Sequence, residues 1–88
     1  MSPTPSFGHQ KIVFRFGRRL DDWVTARQLG EVLLAPMDMV LSPHQVAQPD
    51  VLFVARERLS IIQRVVMGAA DLVAEVVSLG GRNRDRIE

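Results

Sequence analysis

The sequence contains no cysteine, which excludes disulfide bonds and thiolate metal sites. It also has no long apolar run, since stretches such as residues 32–37 fall far short of the roughly 18 residues that a membrane-spanning helix needs. The N-terminal residues lack the basic segment and apolar stretch of a secretion signal. These absences predict a cytoplasmic location without membrane contact.

A strong charge of either sign is also missing. Eleven basic residues nearly balance ten acidic ones, and the net charge is +1. No overall field therefore draws the chain to nucleic acid or to a membrane surface. The basic residues are nevertheless clustered, and each cluster could either contact phosphate or form a solvated face, with charge alone favouring the solvated face. The clusters are Arg15, Arg18 and Arg19 near the start and Arg82, Arg84 and Arg86 near the end.

The length of 88 residues allows one domain, and a chain of this size buries only about 60–65% of the surface that it exposes when unfolded. The hydrophobic fraction of 47% is in the globular range, which argues against disorder of the whole chain. Residues 1–8 are rich in proline and serine and predict a flexible N-terminus. The folded domain is expected to span residues 9–88.

A helical repeat of apolar residues predicts a helix over residues 9–29, and Gly30 is expected to follow its last residue. The repeat, with the aromatic residues at core positions, consists of Val13, Phe16, Leu20, Trp23 and Val24.

Short apolar segments separated by turn residues predict a small sheet after the helix. Residues 31–35 and 37–41 could pair antiparallel, and residues 42–50 form a loop. The abrupt run 51–54 predicts a strand buried on both faces. A short helix over 56–63 and a strand over 71–78 complete an α/β chain with an N-terminal helix and a small mixed sheet.

Two carboxylates stand out in this pattern. Asp50 precedes the buried strand, and Glu75 lies in the predicted strand 71–78 on the same face as Val73 and Val77. That face is expected to be partly buried, and a carboxylate there is costly unless a cation or donor satisfies it. Asp71 lies about 13 Å away along the strand, too far to share an ion with Glu75. Asp50 is therefore the candidate partner, and such a pair suits Mg²⁺, which can activate water for phosphoryl chemistry.

Other interpretations of these residues stay open on spacing alone. Pro-Asp before an apolar run is also ordinary turn chemistry, and Glu75 could pair with an arginine. His9 and His44 have no partner at metal-ligand spacing and are expected at the surface.

Three ordered segments carry a resemblance to a known family. HQKIVFRFGRRLDDWVTARQLGEVLLAPMDMVLS, QPDVLFV and DLVAEVVS resemble the Uma-type restriction endonucleases of the PD-(D/E)XK nuclease superfamily, from about His9 to Arg86. The resemblance implies a restriction-endonuclease-like core, with Asp50 and Glu75 as catalytic metal ligands for Mg²⁺. It further implies hydrolysis of phosphodiester bonds in DNA and homodimers, with supporting roles for Ser78 and Asp85.

The chain departs from that family pattern in ways that leave two functions open. The family has a hairpin before this region and a lysine-bearing helix after it, so a partial domain, incomplete at the C-terminus, is expected. The motif lysine position is Val77, and Lys11 is the sole lysine. One hypothesis is a Mg²⁺-dependent DNA endonuclease. The other is a non-catalytic interaction or remnant module that keeps only the nuclease core.

Overall fold

The computed structural model of the chain describes residues 6–77. Within this range one long helix is followed by short strands and a 3₁₀ helix, and the strands form two three-stranded sheets. This architecture confirms the α/β class with an N-terminal helix and small mixed sheets. The elements are α1 (Phe7–Ala26), β1 (Gly30–Leu34), β2 (Met39–Ser42), β3 (Gln45–Ala47), β4 (Val51–Ala55), the 3₁₀ helix (Arg56–Ile61), β5 (Val66–Met67) and β6 (Leu72–Ala74).

Helix α1 begins two residues earlier than the apolar repeat predicts. Ser6 has extended backbone angles, and its Oγ accepts a hydrogen bond from the His9 N–H at 3.1 Å. A serine in this position satisfies one of the free N–H groups of the first turn and so stabilises the helix start. Phe7 and Gly8 are therefore helical, although they were expected in the flexible segment.

The other end of α1 corrects the role expected for Gly30. The helix ends at Ala26, and Gln28 takes the left-handed conformation, with φ of 54°. The Gln28 N–H donates to the Thr25 carbonyl and the Leu29 N–H to the Val24 carbonyl, which is the Schellman pattern of a helix end. Gly30 thus lies beyond the helix end, as the first residue of β1.

Strand β4 is the centre of the β1–β4–β6 sheet, in which both pairings are antiparallel. Val51, Leu52 and Val54 are at most 1% exposed, which confirms the prediction of a strand buried on both faces. On one face, α1 packs on β1, where the buried Gly17 lies against Leu34. On the other face, Leu52 and Val54 pack with Met39 and Val66 of the second sheet. The sheet is therefore the middle layer of three.

The second sheet shows that two expectations about the middle of the chain were wrong. Strand β2 pairs with β3 antiparallel and with β5 parallel, whereas β1 pairs with β4 along its whole length. The two consecutive segments 31–35 and 37–41 therefore belong to different sheets. Part of the expected loop is strand β3, because a tight turn in which the His44 N–H donates to Ser42 Oγ returns the chain along β2.

The aromatic residues of α1 were expected in the core, and this expectation was also wrong. Four aromatic side chains of the helix are between 42% and 77% exposed. The buried residues of the helix are instead the smaller Gly17 and Val24. The exposed residues are Phe7, Phe14, Phe16 and Trp23.

Cations cover some of these exposed rings. The Lys11 ammonium lies 5.9 Å from the Phe7 ring centre and 5.7 Å from that of Phe14. The Arg27 guanidinium lies 4.4 Å from the ring centre of Trp23. Such cation–π contacts are worth about 0.5–1 kcal/mol each at exposed sites.

Within the described range, no helix is long and apolar enough to span a membrane.

Gly30 gives a testable measure of how closely β1 and β4 approach. Its φ is +154°, and a Cβ atom there would overlap the Val54 carbonyl oxygen. Gly68 is a matched control, because its φ is +132° but a Cβ there would have 3.9 Å to its nearest neighbour, Ile61. We expect Gly68→Ala to cost about 1–3 kcal/mol of unfolding free energy from backbone strain alone, and Gly30→Ala to cost more. Urea unfolding measures both, and equal losses would contradict the close approach.

Candidate active site

Asp50 lies immediately before β4, where the chain enters the central sheet. Its backbone is held by the Ala35 N–H, which donates to the Asp50 carbonyl oxygen at 3.0 Å. Its side chain is 22% exposed, and Oδ2 accepts a hydrogen bond from the Val76 N–H at 2.8 Å. The carboxylate therefore joins the start of β4 to the segment that follows β6.

Glu75 lies immediately after β6, and the strand register relates it to Asp50. The last paired residues of β4 and β6 at this end are Val51 and Ala74. Asp50 directly precedes Val51 and Glu75 directly follows Ala74, so both residues lie just beyond the last pair. The topology thus brings the two sequence-predicted residues to one end of neighbouring strands.

The reason given for Glu75 from sequence was nevertheless wrong. Glu75 is exposed, and it follows the end of β6 rather than lying within a longer strand. Val73 and Val77, which were expected to bury it, are 49% and 68% exposed. The cause is that β6 is an edge strand of its sheet. The buried residues of the second sheet, Met39 and Val66, pack with Leu52 and Val54 of the central strand β4. Glu75 is singled out by the register and not by a desolvation cost.

Asp71 has a structural role at the opposite end of the same strand pair. Its Oδ2 accepts a hydrogen bond from the Ala55 N–H at 2.7 Å and lies 3.1 Å from the Arg58 guanidinium. The Ala55 hydrogen bond lowers the pKa of Asp71 most, partial burial opposes this, and Arg58 lowers the pKa further. The carboxylate therefore holds the start of β6 to the end of β4 and to the 3₁₀ helix.

His9 is the residue that sequence reasoning missed. It was expected at the surface, but its side chain is only 19% exposed, and Nε2 lies 3.4 Å from Asp50 Oδ2 and 3.2 Å from the Val76 carbonyl oxygen. Its other ring nitrogen, Nδ1, is buried without a hydrogen-bond partner among residues 6–77. The signal was in the helical repeat, because His9 lies four residues before Val13 and extends the inward face of α1 by one turn.

His44, by contrast, is exposed, as the sequence predicted.

The donor set around Asp50 fits a hard divalent cation held partly by water. In the described chain both polar contacts of the Asp50 carboxylate fall on Oδ2, which leaves Oδ1 and the exposed Glu75 carboxylate for a ligand. Residues 6–77 contain no group of three or more acidic, histidine or cysteine side chains that could hold a metal ion. Mg²⁺ tolerates this, since it commonly binds through one or two carboxylates and keeps several waters.

Asp38, Val77 and Lys11 are the other residues of interest in the described range. Asp38 accepts a hydrogen bond from the Gln48 amide at 2.9 Å. Val77, at the motif lysine position, is 68% exposed, and Lys11 lies against aromatic rings of α1. Ser78 and Asp85 are outside the described residues.

A helix packed on a small sheet, with acidic residues at adjoining ends of its central strand and an antiparallel neighbour, is consistent with the restriction-endonuclease-like class of α/β proteins. The family model Uma2, described as "Putative restriction endonuclease", matches residues 1–88. The chain therefore belongs to the Uma2 family, which confirms the resemblance seen in the sequence and indicates a nuclease function. No curated protein matches the chain. The homodimer implied by the resemblance stays a prediction.

The lowered pKa of Asp71 predicts how stability depends on pH. A carboxyl group whose pKa is lower in the folded than in the unfolded state stabilises the fold above its unfolded pKa of about 3.9. That contribution is lost as the pH falls through the folded pKa. We expect Asp71→Asn to lower the melting temperature at neutral pH, and the difference from the unsubstituted protein to shrink below about pH 4.

Arg58→Gln is the matched variant for this measurement, because it removes the ion pair and leaves the Ala55 hydrogen bond in place. Its effect should be smaller than that of Asp71→Asn. Melting temperatures recorded by circular dichroism between pH 2.5 and 7 test both variants. A pH-independent difference for Asp71→Asn would contradict the stabilising role of the charged carboxylate.

Proposed function

We propose that this protein is a Mg²⁺-dependent endonuclease that hydrolyses phosphodiester bonds in DNA, with Asp50 and Glu75 as the metal ligands. The observation that carries the proposal is the antiparallel pairing of Val51 with Ala74, because Asp50 directly precedes the first of these residues and Glu75 directly follows the second. Membership of the Uma2 family supports the class of reaction. Restriction-endonuclease-like proteins generally use divalent metal ions, which supports the choice of cation.

The chain's own residues hold Asp50 in place before a cation binds. The Val76 N–H and the hydrogen-bonded backbone of Asp50 restrict that side chain, so less conformational freedom is lost on binding. Asp50 Oδ1 and the Glu75 carboxylate would hold the ion. When bound, Mg²⁺ supplies an activated water and neutralises charge that develops on the phosphate. Exposure of Glu75 leaves this side of the site open to a substrate as large as DNA.

The first test is a comparison of plasmid nicking by the unsubstituted protein and by two single variants. Asp50→Ala and Glu75→Ala should each reduce Mg²⁺-dependent nicking by about 100-fold or more, because loss of a ligand removes several kcal/mol of transition-state stabilisation. Glu57→Gln is the control, since Glu57 is an exposed acid on the 3₁₀ helix. Full activity in either alanine variant would overturn the assignment of the ligands.

A second candidate function, a non-catalytic interaction module, is favoured by Val77 at the motif lysine position and by the small donor set of residues 6–77. The two candidates differ in how the protein responds to the cation. A module without chemistry shows neither nicking nor a rise in melting temperature with Mg²⁺. A metal site shows that rise, and Glu75→Gln removes it while leaving the metal-free stability unchanged, since Glu75 is exposed.

The basic cluster of α1 supplies a surface for the DNA backbone. Arg15, Arg18 and Arg19 are exposed and line an open groove on the helix together with Asp22. The same helix carries His9 against Asp50, and at about 1.5 Å per residue Arg15 lies about 9 Å further along the axis. That separation is well within one turn of a DNA duplex, about 34 Å. The arginines lie on the face of α1 turned away from His9, so a duplex at the carboxylate pair contacts this cluster by crossing the helix.

Salt dependence of DNA binding tests this surface separately from catalysis. Each lysine or arginine that neutralises a phosphate contributes about 0.9 to the slope of log affinity against log salt concentration. The double variant Arg15→Ala, Arg18→Ala should therefore bind labelled duplex more weakly and reduce the slope by about 2. Arg64→Ala, which removes an exposed arginine outside α1, is the control. An unchanged slope would mean that the cluster is a solvated face.

A further inference from the structure

We propose that His9 is a positioning residue for Asp50: it holds Val76, whose N–H donates to Oδ2, and thereby leaves Oδ1 as the oxygen that meets the cation. This inference rests on the proposed function, because it assigns a role within the same site. It goes beyond that proposal because His9 belongs to α1 and is not one of the two proposed metal ligands.

Three polar contacts close a small network around Asp50 Oδ2. The Val76 N–H donates to Oδ2 at 2.8 Å, and His9 Nε2 lies 3.4 Å from Oδ2 and 3.2 Å from the Val76 carbonyl oxygen. Both neighbours of Nε2 are acceptors, so this ring nitrogen carries a hydrogen in either the neutral or the charged imidazole. The hydrogen bond of Nε2 is with the Val76 carbonyl oxygen, and Asp50 Oδ2 lies within ion-pair distance of the same nitrogen, so one imidazole lies against both residues.

The ring itself is fixed more firmly than a surface histidine would be. Its side chain is 19% exposed, and its backbone N–H is held by Ser6 Oγ at the helix start. Nδ1 is buried without a partner among residues 6–77, which costs free energy that a simple packing residue would avoid. Buried polar atoms left without partners are uncommon and call for an explanation, and orientation of Asp50 provides one.

Restraint of Oδ2 has a consequence for metal binding. Groups that orient a metal ligand from behind commonly change metal affinity by about 10–100-fold when they are removed. Without His9, Val76 loses the hydrogen bond to its carbonyl oxygen, and the carboxylate that the Val76 N–H holds gains rotational freedom that must be lost when a cation binds. The role assigned to His9 is therefore one of geometry and requires no change in its protonation.

Three substitutions separate the hydrogen-bonding role of the ring from its shape. His9→Gln keeps an N–H donor at about the reach of Nε2, whereas His9→Asn shortens that reach by one bond. His9→Phe keeps a planar ring of similar size without any donor. Val13→Ala is the stability control, because Val13 lies one turn further along the same inward face of α1.

The first measurement needs no metal. In the metal-free full chain, hydrogen exchange of the Val76 amide should be at least about 10-fold faster in His9→Phe and His9→Asn than in His9→Gln, measured relative to the core amides of β4. Faster exchange of the Val76 amide would show that Asp50 is less well ordered. Val13→Ala should not speed this exchange relative to the core amides. Equal relative exchange in all variants would overturn the positioning role, whether or not the protein binds metal.

The second measurement is Mg²⁺ binding, followed by the melting temperature and by NMR signals of the Asp50 carboxyl group. His9→Phe and His9→Asn should weaken Mg²⁺ binding by about 10-fold or more, and His9→Gln should stay within about threefold of the unsubstituted protein. Unchanged Mg²⁺ affinity in His9→Phe overturns the inference while the proposed function stands. Absence of Mg²⁺ binding in the unsubstituted protein overturns the proposed function instead, and the exchange measurement then decides on His9 alone.

Discussion

The antiparallel pairing of β4 with its two neighbours is the constraint on which the rest of this structure depends. Val51, Leu52 and Val54 are almost fully buried, so β4 cannot shift without exposing core residues. A slip of one residue would turn every side chain of the strand to the opposite face. The same register sets Asp50 and Glu75 at one end of neighbouring strands. Core packing and the geometry of the candidate site are therefore fixed by a single set of strand pairings.

Both ends of the β4–β6 pair are closed in the same way, by a carboxylate that accepts a backbone N–H from the opposite strand segment. At one end Asp71 accepts from Ala55, and at the other Asp50 accepts from Val76. The two carboxylates differ in their other neighbours. Asp71 also pairs with Arg58, so its charge is already compensated. Asp50 lies beside the half-buried His9 and at the end where Glu75 follows β6, which is why the cation is proposed at this end.

Helix α1 contributes to both parts of the proposed function. Its inward face covers the sheet and ends at His9 beside Asp50, and its outward face carries the arginine cluster. A lysine at the motif position would supply a basic group from the sheet, but that position is Val77 in this chain. The imidazole from α1 is the basic side chain that the structure brings to Asp50. It lies 3.4 Å from Oδ2, the oxygen that accepts from the Val76 N–H, in agreement with the positioning role proposed for it.

The sequence by itself determined the elements whose signals are local. The 3.6-residue repeat predicted α1, the abrupt apolar run predicted β4, and ordered motifs around Asp50 and Glu75 identified the family. These signals depend on neighbouring residues along the chain, so they can be detected without coordinates. Even here the observed helix ends differ from the predicted ones. Ser6 and Gln28 set them through specific hydrogen bonds, which the periodic pattern of apolar residues does not reveal.

Only the tertiary structure decided which segments pair and which faces are covered. It set β1 and β2 in different sheets, left the aromatic residues of α1 and the valines around Glu75 exposed, and brought His9 against Asp50. Each of these outcomes depends on contacts between residues that are distant in sequence. Burial in particular is a property of the layer that packs over a residue, and no pattern within a single strand specifies that layer. Long-range packing, and not local propensity, therefore placed His9 against Asp50 and set Glu75 at the same end of the β4–β6 pair.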